Sequence, residues 1–192
     1  MILLRIVALM SLCWPLLAQS TPDYLPLAVG NHWEYQLQAS GDRQVWEISK
    51  QQSIKQNTWF LLDIRSTHQD ADGKIRNTGG RQTWARFDGA KLLTLNRSLI
   101  NSSKDTEVVW VDFGITAGQP YASPGPCHAK ATNHSSPERF TVLYDHQCND
   151  AGLVDETFVP HVGLASFTSE SFVGARAWTL VKAHIGGKDL TF

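Results

Sequence analysis

Apolar and polar residues alternate along most of the chain beyond its first twenty residues. In "HWEYQLQA", Trp33, Tyr35 and Leu37 fall on one side and Glu34, Gln36 and Gln38 on the other, the period of two that marks a half-buried β-strand. "QVWEISK" follows after the turn-forming "SGDR" (Ser40 to Arg43). "TWFLLDIRS" is a longer apolar run and predicts a central strand with both faces partly covered. "DADG" (Asp70 to Gly73) and "NTGG" (Asn77 to Gly80) predict turns on either side of a short segment carrying Ile75. "RQTWARF" then runs to a turn at "DGA", and "KLLTL" returns from it.

"TEVVWVDF" is the next strand, and the Gly- and Pro-rich "GITAGQPYASPGP" (114–126) reads as a long loop. "CHAKAT", "ERFTVLYDHQ", "LVDETFV", "GLASFTSESFV" and "ARAWTLVKAHI" complete about ten strands at the short, regular spacing of antiparallel meanders. Within "LVDETFV", Val154, Glu156 and Phe158 alternate with Asp155, Thr157 and Val159. Adjacent strand residues point to opposite faces, so Asp155 and Glu156 do not converge as a carboxylate pair. Pro160 lacks the N–H that would continue the ladder, and Gly163 frees the backbone for a turn. No helical period, repeat or linker interrupts the pattern. The fold expected is all-β: one antiparallel meander curved into a half-barrel or open barrel, with a two-sheet sandwich as the alternative.

The N-terminus departs from this pattern. Arg5 precedes the apolar "IVALMSLCWPLLA", and "AQS" (Ala18 to Ser20) offers small residues for a signal peptidase. Residues 1–20 therefore read as a signal peptide and 21–192 as a single β-rich domain, periplasmic or secreted. An apolar run this short does not make an ordinary membrane anchor. Cys13 lies inside the run and follows Leu12, so lipidation there is not expected.

Charge narrows the partners. Lys plus Arg number 17 against 18 for Asp plus Glu, and charged residues are 18% of the chain. That balance predicts no polyanion-binding face and argues against nucleic acid as a partner.

Without Cys13, Cys127 and Cys148 remain, and an even pair in an exported chain reads first as a disulfide. It would close a loop of about 20 residues, for which chain-entropy models give roughly 3 kcal/mol. The weaker alternative is a metal site using the neighbouring His128, His134 and His146, although the paired short spacings of a zinc module are missing. Free thiols are the third reading. "DADGK" lacks the third ligand and the closing acid of a calcium loop and reads as a hairpin turn.

Six tryptophans, Trp33, Trp46, Trp59, Trp84, Trp110 and Trp178, lie within predicted strands. They are the candidate ligand-binding residues, as an aromatic platform. The competing reading is core packing, which aromatics on sheets favour.

Two ends of the domain resemble a group of uncharacterised exported bacterial β-rich proteins. "YLPLAVGNHWEY" (Tyr24 to Tyr35) is similar to their opening, and "CNDAGLVDETFVPHVGLASF" (Cys148 to Phe167) to their second signature. "WTLVKAHIGG" (Trp178 to Gly187) is similar to their closing strand, and His161 stands where glycine is usual in the group. The resemblance implies a β-rich exported domain and carries no activity with it.

No Gly-x-Ser-x-Gly elbow, phosphate loop or His-Glu-x-x-His occurs, so no catalytic residue, enzyme activity or cofactor is expected. The expected function is a non-enzymatic binding or carrier module for an apolar small molecule or lipid held in the concave face. The alternative is a structural or interaction domain with a filled core and an envelope protein as partner. A secreted enzyme or metal binder is the least favoured reading.

Overall fold

The structure is a computed structural model. It describes residues 23–38, 40–96, 106–122, 130–134, 136, 138–145, 151–172 and 174–192. The expected signal segment and the predicted Cys127–Cys148 disulfide lie outside these residues, as do His128 and His146.

The described residues form strands and turns without an α-helix. In chain order the strands are β1 His32–Leu37, β2 Arg43–Ile54, β3 Asn57–Gln69, β4 Ile75–Asp88, β5 Lys91–Asn96, β6 Thr106–Asp112 and β7 Pro120–Ala122. They continue with β8 Lys130–Asn133, β9 Phe140–Asp145, β10 Ala151–Val159, β11 Gly163–Ser171, β12 Gly174–Ile185 and β13 Lys188–Thr191. All belong to one antiparallel sheet of order β6-β5-β4-β3-β2-β1-β12-β11-β10-β9-β8-β7, with β13 beside β12.

β6 and β7 are consecutive in the chain yet stand at opposite ends of that order. The sheet therefore curls until its two edges approach, and it leaves one seam without a strand-to-strand ladder. This is the expected open barrel. Bulges supply the bending that closure requires. Register shifts occur between Glu34 and Tyr35 against β12, between Ile48 and Lys50 against β3, and between Leu92 and Leu93 against β6.

Three local expectations are corrected. Asn77 to Gly80 is not a turn: β4 runs through it, paired with β3, and a register shift opposite Ser66 and Thr67 absorbs an extra residue. Gly79 takes φ 145° there, so the glycines that suggested a turn permit a bulge instead. The 114–126 loop contains β7, which pairs with β8. A last strand, β13, follows the Gly186–Gly187 turn and pairs with β12, where sequence periodicity was too short to reveal it.

Inside the barrel the rings pack on one another. Phe113 stacks on Tyr24 with centroids 4.7 Å apart and meets Phe140 at 4.8 Å and Phe158 at 5.2 Å. Trp46 meets Tyr35 at 5.2 Å and Phe167 at 5.3 Å. Contacts from Phe113 near the β6 end to Phe140 on β9 and Phe158 on β10 span the seam. Apolar packing therefore links the end of β6 to β9 and β10, strands it does not join by backbone hydrogen bonds.

Residues 23–31 close one end of the barrel. Leu25 is fully buried, Asn31 Nδ2 donates to the Pro26 carbonyl at 2.8 Å, and the Gly186 N–H donates to Asn31 Oδ1 at 3.0 Å. A second, smaller apolar cluster lies on the outer face. It comprises Trp59, Trp84, Leu93 and Leu95, with Arg86 over the Trp59 ring at 5.1 Å and Lys50 over the Trp84 ring at 5.9 Å.

Candidate functional site: a buried carboxylate and an apolar recess

Strand alternation brings Glu156 inward. It pairs with Val142 on β9 and Phe167 on β11, both buried, and is itself 1% exposed. Asp155, one residue earlier, takes the other face, as the alternation in "LVDETFV" requires. A lone carboxylate in an apolar interior must find donors or lose its charge. Glu156 has two: Tyr144 Oη donates to Oε2 at 2.5 Å, and Trp110 Nε1 donates at 3.0 and 3.2 Å to the two carboxylate oxygens.

Trp110 reaches this position because of a bulge. Leu93 pairs with Val109 and Leu92 with Val111, so Trp110 is the extra residue and turns toward the core it packs against. Since Trp110 stands on β6 and Tyr144 and Glu156 on β9 and β10, the carboxylate ties the two sides of the seam together.

Burial pushes the Glu156 carboxyl up to about 7 from its ordinary 4.5. The Tyr144 and Trp110 hydrogen bonds and the Arg81 charge act in the opposite direction without cancelling it. Arg81 shares the face of Ile64, its partner on β3, and so points into the barrel. As a residue Arg81 is exposed, yet desolvation of its guanidinium draws its pKa below the ordinary value while Glu156 pulls it back. Tyr35 and Tyr144 are held well above the ordinary tyrosine range by burial first and by Glu156 second. One prediction follows from this arrangement: Arg81→Met removes a charge that favours ionised Glu156. The Glu156 carboxyl carbon, followed by NMR through a pH series, should titrate at higher pH in the variant than in the wild type.

Among the described residues the arrangement joins one buried carboxylate to two hydrogen-bond donors, Tyr144 and Trp110, and to the Arg81 charge. It can hold or release a proton.

The second feature is a recess of about 410 Å³ at the end closed by residues 23–31. Leu27, Phe60, Phe87 and Phe113 form its apolar walls, and Asp23 and Thr58 lie at its polar edge. Phe60 shares the inner face with Leu62 and Ile64, while Phe87 and Phe113 sit where β4 and β6 run into their turns. Asp23 has its pKa raised, chiefly by desolvation, although the Leu25 backbone N–H and His161 oppose the shift. Its volume falls in the range of small-molecule sites, and apolar rings share the lining about equally with polar groups. A larger and more open recess, of about 570 Å³, lies nearby and is lined by Asp88, Lys91, Asp112 and Thr116 among others.

The six tryptophans are distributed differently from a single platform. Trp33, Trp46 and Trp178 are buried in the barrel core, Trp110 is half-buried beside it, and Trp59 and Trp84 are buried in the outer cluster. Trp33 and Trp46 face each other across β1 and β2, and Trp46 meets Trp110 at 6.1 Å. None of the six lines the recess. His134 is exposed, with its backbone N–H bound to the Thr141 carbonyl at 2.7 Å. Among the described residues no three His, Cys, Asp or Glu side chains gather to hold a metal ion.

The recess residues were missed in the sequence, although a signal was present. "RFDG" and "VDFG" each place a phenylalanine at the last inner position before a glycine turn, and both turns lie at the same end of the barrel.

No family model matches the chain, and no curated protein matches it. Two solved structures are similar in overall form. One is a putative lipoprotein from Parabacteroides distasonis, 9% identical, with a TM-score of 0.42 over 90% of this chain and 100% of that one. The other is a putative exported protein with a YmcC-like fold from Bacteroides fragilis, 10% identical, with a TM-score of 0.44 over 87% of this chain and 98% of that one.

Proposed function

We propose that the protein is an exported, non-enzymatic binding module that takes a small apolar ligand at the end of its barrel. The observation that supports this reading is the open recess walled by Leu27, Phe60, Phe87 and Phe113. Export rests on the N-terminal segment, Arg5 followed by "IVALMSLCWPLLA" and "AQS". The non-enzymatic reading rests on the sequence, which holds no Gly-x-Ser-x-Gly elbow, phosphate loop or His-Glu-x-x-His.

The ligand enters at the recess rather than between the tryptophans, because the barrel interior is occupied by its own rings. The size of the recess suits one short acyl or ring-sized body, and Asp23 at its edge disfavours an anionic head group. The filled interior favours a second reading, a structural or interaction domain working through its surface, in which the recess stays empty.

The two readings separate with decan-1-ol as probe. In a titration followed by NMR, saturable shifts are expected at the aromatic protons of Phe60, Phe87 and Phe113 and the methyls of Leu27. Thr58→Trp narrows the recess from its exposed edge without entering the core, and should weaken the probe at least tenfold while leaving the melting temperature within about 3 °C. Shifts that fail to saturate, or saturate equally in the variant, would reject the recess as a site.

A further inference from the structure

The outer face of the sheet opposite the core carries a transverse row of four residues. Glu47 on β2 pairs with His32 on β1, His32 with His184 on β12, and His184 with Asp189 on β13. Directly paired residues on neighbouring strands share a face, so all four project outward at one level. Glu47 is engaged by Arg65. The two histidines and Asp189 remain as a unit.

The imidazole rings of His32 and His184 lie parallel, with centroids 5.2 Å apart and 6° between their planes. The outer nitrogen on each ring is defined by what the other one does. His184 Nδ1 is 2.7 Å from Asp189 Oδ1, and His32 Nδ1 is 3.4 Å from the Gly30 carbonyl oxygen. A carboxylate and a carbonyl only accept, so in the neutral rings each Nδ1 carries the proton and each Nε2 presents a lone pair. That is the hydrogen-bonding pattern of metal-ligating histidines, in which the nitrogen away from the metal donates to a carboxylate or a backbone carbonyl.

We propose that His32 and His184 form an open, two-histidine site for a borderline divalent transition-metal ion such as Cu²⁺, Ni²⁺ or Zn²⁺. Water completes the coordination. Two imidazole nitrogens bound to one ion at about 2.0–2.1 Å stand about 3.3 Å apart. From parallel stacking at 5.2 Å between centroids, side-chain rotation must tip the two rings toward each other to bring their Nε2 atoms to this spacing. β1 and β12 hold the two backbones at fixed cross-strand separation, which lowers the ordering cost of chelation. Asp189 is a positioning residue: it fixes the His184 tautomer and raises the basicity of Nε2. The site lies on the outside of the barrel and is independent of the recess.

The test uses CuCl₂ with the untagged protein, by calorimetric titration and electron paramagnetic resonance. One ion per chain should bind, with hyperfine structure from two imidazole nitrogens. His32→Ala and His184→Ala, both at outward positions, should each weaken binding at least tenfold and leave the far-ultraviolet circular dichroism unchanged. Asp189→Asn should weaken it about tenfold and keep the two-nitrogen signature. Absence of binding would overturn the proposal. So would Cu²⁺ affinity unchanged in both histidine variants, which would place the ion elsewhere in the chain.

Discussion

Between pH 4.5 and pH 7 the wild-type protein is expected to lose stability that a Glu156→Gln variant keeps. Glu156 has a carboxyl pKa of about 7 in the folded chain against 4.5 in a free side chain. Below pH 4.5 the carboxyl is protonated in both states and contributes no difference. As pH rises through this window the unfolded chain releases the proton while the folded chain retains it, so the folded state binds more protons and unfolding becomes easier. Above pH 7 both states are ionised and the penalty is complete, roughly 3 kcal/mol for a shift of this size.

Glutamine preserves the shape and still offers an oxygen to Trp110 Nε1 and an amide to the Tyr144 oxygen. Urea unfolding of both proteins at pH 5 and pH 8 should therefore show the stability gap moving toward the variant by roughly 2.5 kcal/mol as pH rises, because part of the penalty is already present at pH 5. Parallel pH profiles would mean that Glu156 is not the desolvated group described here.

Gly163→Ala is expected to destabilise the protein by about 2–5 kcal/mol, combining a strained backbone with overpacking. Gly163 begins β11 with φ 113°, a region L-residues rarely enter. A Cβ at this position would stand 2.7 Å from Trp33 Nε1 and 3.2 Å from its Cε2. The indole cannot move aside easily, because Trp33 is fully buried and its Nε1 donates to the Val162 carbonyl at 2.6 Å. Gly174→Ala provides the control. It has a similar φ of 108°, but its added Cβ would meet no atom within 4 Å. Thermal unfolding should place Gly163→Ala well below Gly174→Ala, and equal losses would show that backbone strain alone governs both sites.

Strand identity was legible in the sequence because alternation was strong. Trp33, Tyr35 and Leu37 are all buried, and Glu156 and Phe158 share the inner face as their spacing requires. Closure was only partly legible, because it depends on bulges, and a bulge adds one residue without altering composition. Trp110 shows the consequence: strict alternation separates it from Val111, yet both face the core. The glycines of "NTGG" show the same ambiguity, since a turn and a bulge both need backbone freedom.

His161 takes φ 63°, the left-handed region that glycine enters without cost. The candidate sites were less legible than the strands. Leu27, Phe60, Phe87 and Phe113 converge from four separate stretches of chain, and only the sheet order brings them to one end of the barrel. His32 and His184 lie 152 positions apart and become neighbours through the β1–β12 pairing.

A native mass spectrum of the protein expressed with its own N-terminal segment decides whether the recess holds an apolar ligand. The protein should be purified without detergent and measured again after denaturation. Additional native mass of a small apolar molecule is expected, disappearing on denaturation and reduced in Thr58→Trp. A native mass equal to that of the bare chain, in wild type and variant alike, would contradict it and leave the surface of a filled barrel as the working part of the molecule.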